Sequence, residues 1–266
     1  MTAHASVPAA TDTRGRFVWH ELMTNDLAAA EDFYGSVVGW TTQRSQMPGM
    51  EYISWMAGNV GIGGLMILPE EAKAMGAPPH WYAYMEVPDV DAAAARVTRS
   101  GGRVYAGPMT VDTVGRFAIL ADPQGANFAV IASATPLAPE TDPAPLQFSW
   151  HELSTTDLNA AIAFYEPLFG WKKQSEMDMG GDMGPYYMFG RDRFTYGGMM
   201  KKAANNPAPP NWLHYALVKD SADAAAARAT KAGATVMMGP MEVPGGDRVA
   251  VLIDPQGAAF GVHSKP

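Results

Sequence analysis

Two glutamates, Glu21 and Glu152, each follow a Trp-His pair, in Phe17-Val-Trp-His-Glu-Leu22 and Phe148-Ser-Trp-His-Glu-Leu153. Alternate residues of a strand share a face, so Trp19 and Glu21 lie together, as do Trp150 and Glu152, while His20 and His151 point the other way. A carboxyl set among aromatic rings is desolvated, which raises its pKa toward that of a general acid or base. A buried glutamate satisfied by an arginine or a backbone group is the blander expectation for the same residues. Arg116 and Arg248 begin equivalent strands; they could clamp an anionic group or pair with Glu21 and Glu152. His20 and His151 read as core or interface residues on parity alone.

These residues are positioned by a duplication. Every landmark of the first copy (Thr24, Asp26, Phe33, Tyr34, Gly39, Trp40) returns at one offset, since 148 − 17 and 171 − 40 are both 131. Asp122-Pro-Gln-Gly125 likewise returns as Asp254-Pro-Gln-Gly257. In each copy a strand runs into an Asp N-cap, a helix with apolar residues at helical spacing follows, and Gly-Trp opens three further strands. A second βαβββ unit begins at Trp81, with Asp89 or Asp91 capping its helix. The expected fold class is therefore α+β, with two tandem domains of two βαβββ modules each. The boundaries read as a loose arm over 1–16, domains over 17–134 and 147–266, and a Pro-rich linker over 135–146.

A charge of −8 without a basic cluster argues against a nucleic-acid partner, and no apolar run is long enough to span a bilayer. The absence of cysteine removes disulfides, thiolate nucleophiles and Cys-ligated zinc. Met1 to Thr13 has neither the basic start nor the apolar core of a secretory signal, so a cytoplasmic location is expected. The expected partner is a small molecule, and the chain is expected to be a monomer or homodimer.

The strand ending in Thr-x-Asp, the helix ending in Phe-Tyr, Gly-Trp, the corner at Val87 to Ala93 and the Asp-Pro-Gln-Gly turn, in that order, resemble the vicinal-oxygen-chelate superfamily of glyoxalases, bleomycin-resistance proteins and extradiol dioxygenases. The resemblance implies that each pair of modules curls into an incomplete barrel around a cavity that usually holds a divalent metal. Trp19 and Trp150 stand where the first ligand is expected, Tyr82 at the second position, and Ala129 and Gly261 where a Glu would close the set. The usual ligands are thus missing from both halves, and no bound cofactor is expected. A divalent metal stays open through His214, His263 and Glu152. That set requires His214 to align with Tyr82; aligning Trp212 with Trp81 and Tyr215 with Tyr84 instead turns it to the other face.

With Trp19 at the cavity position, Glu21 and Glu152 become the catalytic candidates. Trp19, Tyr82, Tyr84, Trp150, Tyr215, Arg116 and Arg248 become the substrate-binding ones, and Met177, Met179 and Met183 an adaptable lid. The resemblance implies lyase- or isomerase-type proton transfer on a carbonyl, enol or aromatic compound. The rival is a non-catalytic binding protein of bleomycin-resistance type.

Overall fold

Asp26 ends the first strand, β1 (Phe17–Thr24), and caps the first helix, α1 (Leu27–Val37), by accepting from the Ala29 N–H at 3.0 Å. The computed structural model describes residues 12–47 and 50–266. After α1 come β2 (Thr41–Met47), β3 (Met50–Ala57) and β4 (Val60–Ile67). A short helix, α2 (Glu70–Ala74), follows β4 and starts after Pro69. The second module is β5 (His80–Glu86), α3 (Val90–Arg99), β6 (Arg103–Val111), β7 (Gly115–Ala121) and β8 (Asn127–Ser133), with Asp89 as the cap of α3.

The second half repeats this order as β9 (Phe148–Thr155), α4 (Leu158–Phe169), β10 (Lys172–Asp178), β11 (Pro185–Arg191), β12 (Phe194–Lys201), β13 (Asn211–Leu217), α5 (Ala222–Lys231), β14 (Thr235–Glu242), β15 (Arg248–Ile253) and β16 (Ala259–Ser264). Each half is one 8-stranded sheet in the order β2-β3-β4-β1-β5-β8-β7-β6, or its equivalent, joined at the centre by the antiparallel pair β1·β5 or β9·β13. The class is α+β, as the alternation implied.

Pairing within halves holds for the sheets alone. On the helix side the cores cross: α1, Trp40, Trp55 and Trp81 pack with Ala222, Ala225, Ala226, Ala229, Leu252 and Phe260 of the last module. The second module packs in the same way with Phe164, Tyr165, Trp171 and Phe189 of the third and with Trp212 on β13. The alanines of α5 leave room for α1 to approach it directly.

The repeat motifs fasten this crossing. Tyr34 donates to Asp254 and Tyr165 to Asp122, both at 3.0 Å, so the turn carboxylate of one half receives the helix phenol of the other. Gln256 accepts from the Asp26 N–H, and Gln124 from the Asp157 N–H. The indole N–H of Trp40 reaches the Leu146 carbonyl, and that of Trp171 the Gly15 carbonyl. Gly15 and Leu146 are themselves an equivalent pair, both with positive φ, at 82° and 74°. The end of the expected loose arm, Asp12 to Arg16, is thereby tied down, with the Gly15 N–H also donating to Glu86; residues 1–11 lie outside the described residues.

Candidate functional site

The sheet face turned away from the helices carries its own apolar cluster in the first half: Trp19, Tyr82, Tyr84, Phe117, Ile119, Ala129 and Ile131. Glu21 lies among them, 3% exposed. Its carboxylate accepts from the Tyr52 hydroxyl at 3.1 and 3.2 Å, and that oxygen accepts from the Trp19 indole N–H at 2.9 Å. Strand parity explains the grouping: Glu21 stands opposite Tyr82 and Trp19 opposite Tyr84 across β1·β5. Burial raises the Glu21 pKa to about 8, and the hydrogen bonds from Tyr52 and Trp19 oppose the rise only in part. Tyr82 and Tyr84 lie hydroxyl to hydroxyl at 3.3 Å, which leaves one phenolic proton to offer to a bound oxygen.

The second half repeats the constellation. Trp150 donates to the Tyr186 hydroxyl at 2.8 Å, Tyr186 donates to Glu152 at 2.9 Å, and Tyr215 approaches the other carboxylate oxygen at 3.4 Å. Burial raises the Glu152 pKa, again against its phenol partners. Leu213 takes the place of Tyr82, so this cavity lacks the second phenol of a pair.

Glycines make both arrangements fit. A Cβ on Gly64 would stand 2.0 Å from the Tyr52 hydroxyl and 2.1 Å from the Glu21 carboxylate, and one on Gly198 would stand 2.1 Å from the Tyr186 ring. These glycines therefore serve close side-chain approach across the cavity face.

Tyr52 and Tyr186 were absent from the residues singled out in the sequence. Tyr186 sits 134 residues after Tyr52, because the insertion near Gly180 to Gly184 breaks the common offset, so their equivalence is hidden in a simple repeat alignment. Strand alternation from Trp55, which faces the helices, would have turned Tyr52 toward Glu21.

Arg116 and Arg248 go elsewhere. Each forms an exposed bidentate ion pair, with Asp91 (2.6 and 2.7 Å) and with Asp223 (2.7 and 2.9 Å), and so turns to a helix N-terminus rather than to Glu21 or Glu152. Met179 is exposed at 40%, beyond the end of β10.

The set His214, His263 and Glu152 does not converge. His214 pairs with His151 across β9·β13, in the register where Ala83 pairs with His20, so it lies on the face opposite Glu152. Trp212 therefore matches Trp81, and the extra residue of the second half falls later, near Lys219. His263 is engaged by Ser149 at 2.7 Å and Asp247 at 2.8 Å. What does come together is His20, His151 and His214, buried where the two halves meet.

The metal that the fold family usually holds in the cavity does not fit either half. The inward residues of the first half are an indole, phenols, apolar groups, one glutamate already hydrogen-bonded to tyrosine, and His80, whose ring lies 5.9 Å from that of Tyr82 with Nδ1 held at the Pro78 carbonyl at 2.7 Å. Two surface clefts, of about 360 and 260 Å³, lie on the helix side around Phe33 and Gln256 and around Ala93 and Leu168, away from both glutamates.

The chain belongs to the Glyoxalase/Bleomycin resistance protein/Dioxygenase superfamily, whose family model matches residues 16–130 and 147–262. It is 34% identical over 245 residues to a protein of Mycobacterium tuberculosis provisionally named glyoxylase CFP32, covering 92% of each chain. It is 30% identical over 271 residues to the anthracycline biosynthesis protein DnrV of Streptomyces peucetius, covering 93% of this chain and 92% of that one. The Mn(II)-bound glyoxalase of Novosphingobium aromaticivorans shares the fold, with a TM-score of 0.62 at 18% identity over 95% of this chain and 82% of that one. No described helix is long and apolar enough to cross a membrane.

Proposed function

We propose that the chain takes a small carbonyl, enol or aromatic compound onto the cavity face of each half, and that Glu21 and Glu152 transfer a proton there. The observation that carries this is the repeated carboxyl, buried at Glu21 and part-buried at Glu152, hydrogen-bonded to a phenol and bordered by aromatic faces. A carboxyl with a pKa of about 8 changes charge near neutrality, where a general acid or base works best. As carboxylate, Glu21 would take a proton from a carbon beside a carbonyl. The phenolic proton left by the Tyr82 and Tyr84 pair would bind the oxygen on which charge develops. Returning the proton to a different carbon completes an isomerisation without any other reactant. Relatives named for a glyoxylase and for anthracycline biosynthesis are in keeping with a small-molecule ligand.

Sequestration without turnover is the second reading, favoured by Trp19, Trp150, Ala129 and Gly261 at the cavity positions where the family's metal ligands usually stand and, in the second half, by Leu213 in place of a phenol. Deuterium uptake by a panel of 2-oxoaldehydes and aryl ketones, followed by NMR in D2O, separates the two. The Glu21→Gln, Glu152→Gln double variant is expected to abolish uptake while ligand affinity stays within about tenfold, roughly 1.4 kcal/mol. Unchanged uptake in that variant would sink the proton-transfer reading.

A further inference from the structure

His20 and His151 are the outward-facing members of the repeated Trp-His-Glu, and His214 joins them from β13 without a counterpart, since Ala83 stands at its place in the first half. The three imidazoles are 5%, 5% and 1% exposed. Phe148 stacks on His20 at 3.8 Å and Phe17 on His151 at 3.7 Å, so the surroundings are apolar and contributed by both halves.

Their hydrogen bonding is incomplete. Nδ1 of His151 and Nδ1 of His214 are 3.1 Å apart, so they share one proton, and Nε2 of both His20 and His214 is buried with no partner. Desolvation holds all three pKa values down, so three neutral rings face one another, and two of their buried nitrogens meet no protein partner. Leaving such groups buried and unpaired is destabilising.

We propose that His20, His151 and His214 bind one transition-metal ion at the seam between the two halves, on the opposite face of the central strands from the cavities. One ring nitrogen from each histidine lies within 4.8 Å of the others. Bonds of about 2.0–2.1 Å set the nitrogens of a tetrahedral ion about 3.3 Å apart. The His151 to His214 separation already meets this, and small ring rotations close the rest. Imidazole suits copper and zinc. Neutral ligands inside an apolar shell leave an ion's charge uncompensated, which favours monovalent copper over a divalent ion. Such an ion would pin both halves through residues 20, 151 and 214, independently of Glu21 and Glu152.

The test is metal loading of the full chain with Cu+ under reducing conditions and, separately, with Zn2+, read by elemental analysis and by thermal melting. The expected result is about one ion per chain and a raised melting temperature, both lost in His214→Ala, which the first half tolerates natively as Ala83. The Glu21→Gln, Glu152→Gln variant should load normally, so failure of proton transfer and failure of this site are read separately. Loading that persists in both His214→Ala and His20→Asn, or no loading with either ion, overturns the site. Tighter Zn2+ than Cu+ binding overturns the choice of a monovalent ion.

Discussion

At the scale of single residues, Glu21 ties pH to stability. Its folded pKa is about 8 against an ordinary 4.5, so between those values the folded chain holds a proton that the unfolded chain has released. Its contribution is therefore fully present below about pH 4.5, declines as pH rises, and is gone above about 8. The three buried histidines act with the opposite sign, because their folded pKa values lie below 6.5, to about 3 for His214. Their contribution is present above about pH 6.5 and is lost as pH falls below it. Chemical denaturation of metal-free protein should show stability rising from pH 5 to about 6.5 as the histidines deprotonate in the unfolded chain, then a decline toward alkali on the order of 2 kcal/mol that becomes shallower in Glu21→Gln. An unaltered alkaline slope in that variant would assign the decline to another group.

Among the elements, the pair β1·β5 and its repeat β9·β13 set the candidate site, and their parity was legible in the sequence. Alternation alone placed Trp19 with Glu21 and Trp150 with Glu152. It could not settle His214, because one extra residue near Lys219 allowed two registers that differ by a full reversal of facing. Nor did it locate Tyr52 and Tyr186, which a length difference in the preceding loop had moved out of offset. The arginines were misplaced for another reason: an ion pair to Asp91 or Asp223 depends on where α3 and α5 begin relative to β7 and β15, which repeat spacing does not encode. Gly64, on β4, gives a prediction at this scale. Gly64→Ala should destabilise the chain by about 1–3 kcal/mol and displace the Tyr52 and Glu21 contact, because its Cβ meets both groups. Denaturant melts, together with loss of Glu21-dependent deuterium uptake, would check it; a melt unchanged within error would show that the cavity face yields.

Across the whole molecule, the four modules are joined twice over, by sheets within halves and by helix-side cores across them. The duplication announced two domains, yet the crossed packing of α1 with α5 was invisible, because Tyr34 and Asp254 carry no mark in sequence that they meet. The landmarks of the repeat now have separate physical tasks: the helix tyrosine and turn aspartate bond across the seam, the turn glutamine holds a helix N-terminus, and the Gly-Trp indole binds a crossing carbonyl. Removing one partner should leave the other buried and unpaired. Asp254→Ala is expected to cost about 1–3 kcal/mol in global unfolding without splitting the transition in two. A biphasic melt would mean that the halves unfold separately and that the crossed cores are not cooperative.

The central claim is that burial raises the pKa of both cavity glutamates and holds Glu21 largely protonated near neutrality. Side-chain carboxyl NMR of protein labelled with 13C-glutamate, titrated from pH 4 to 10, tests it directly. A resonance titrating near pH 8 that disappears in Glu21→Gln is the predicted result. Assignment of the Glu21 carboxyl to a midpoint near the ordinary 4.5 would contradict it, leaving Glu21 an ionised anchor rather than a proton carrier.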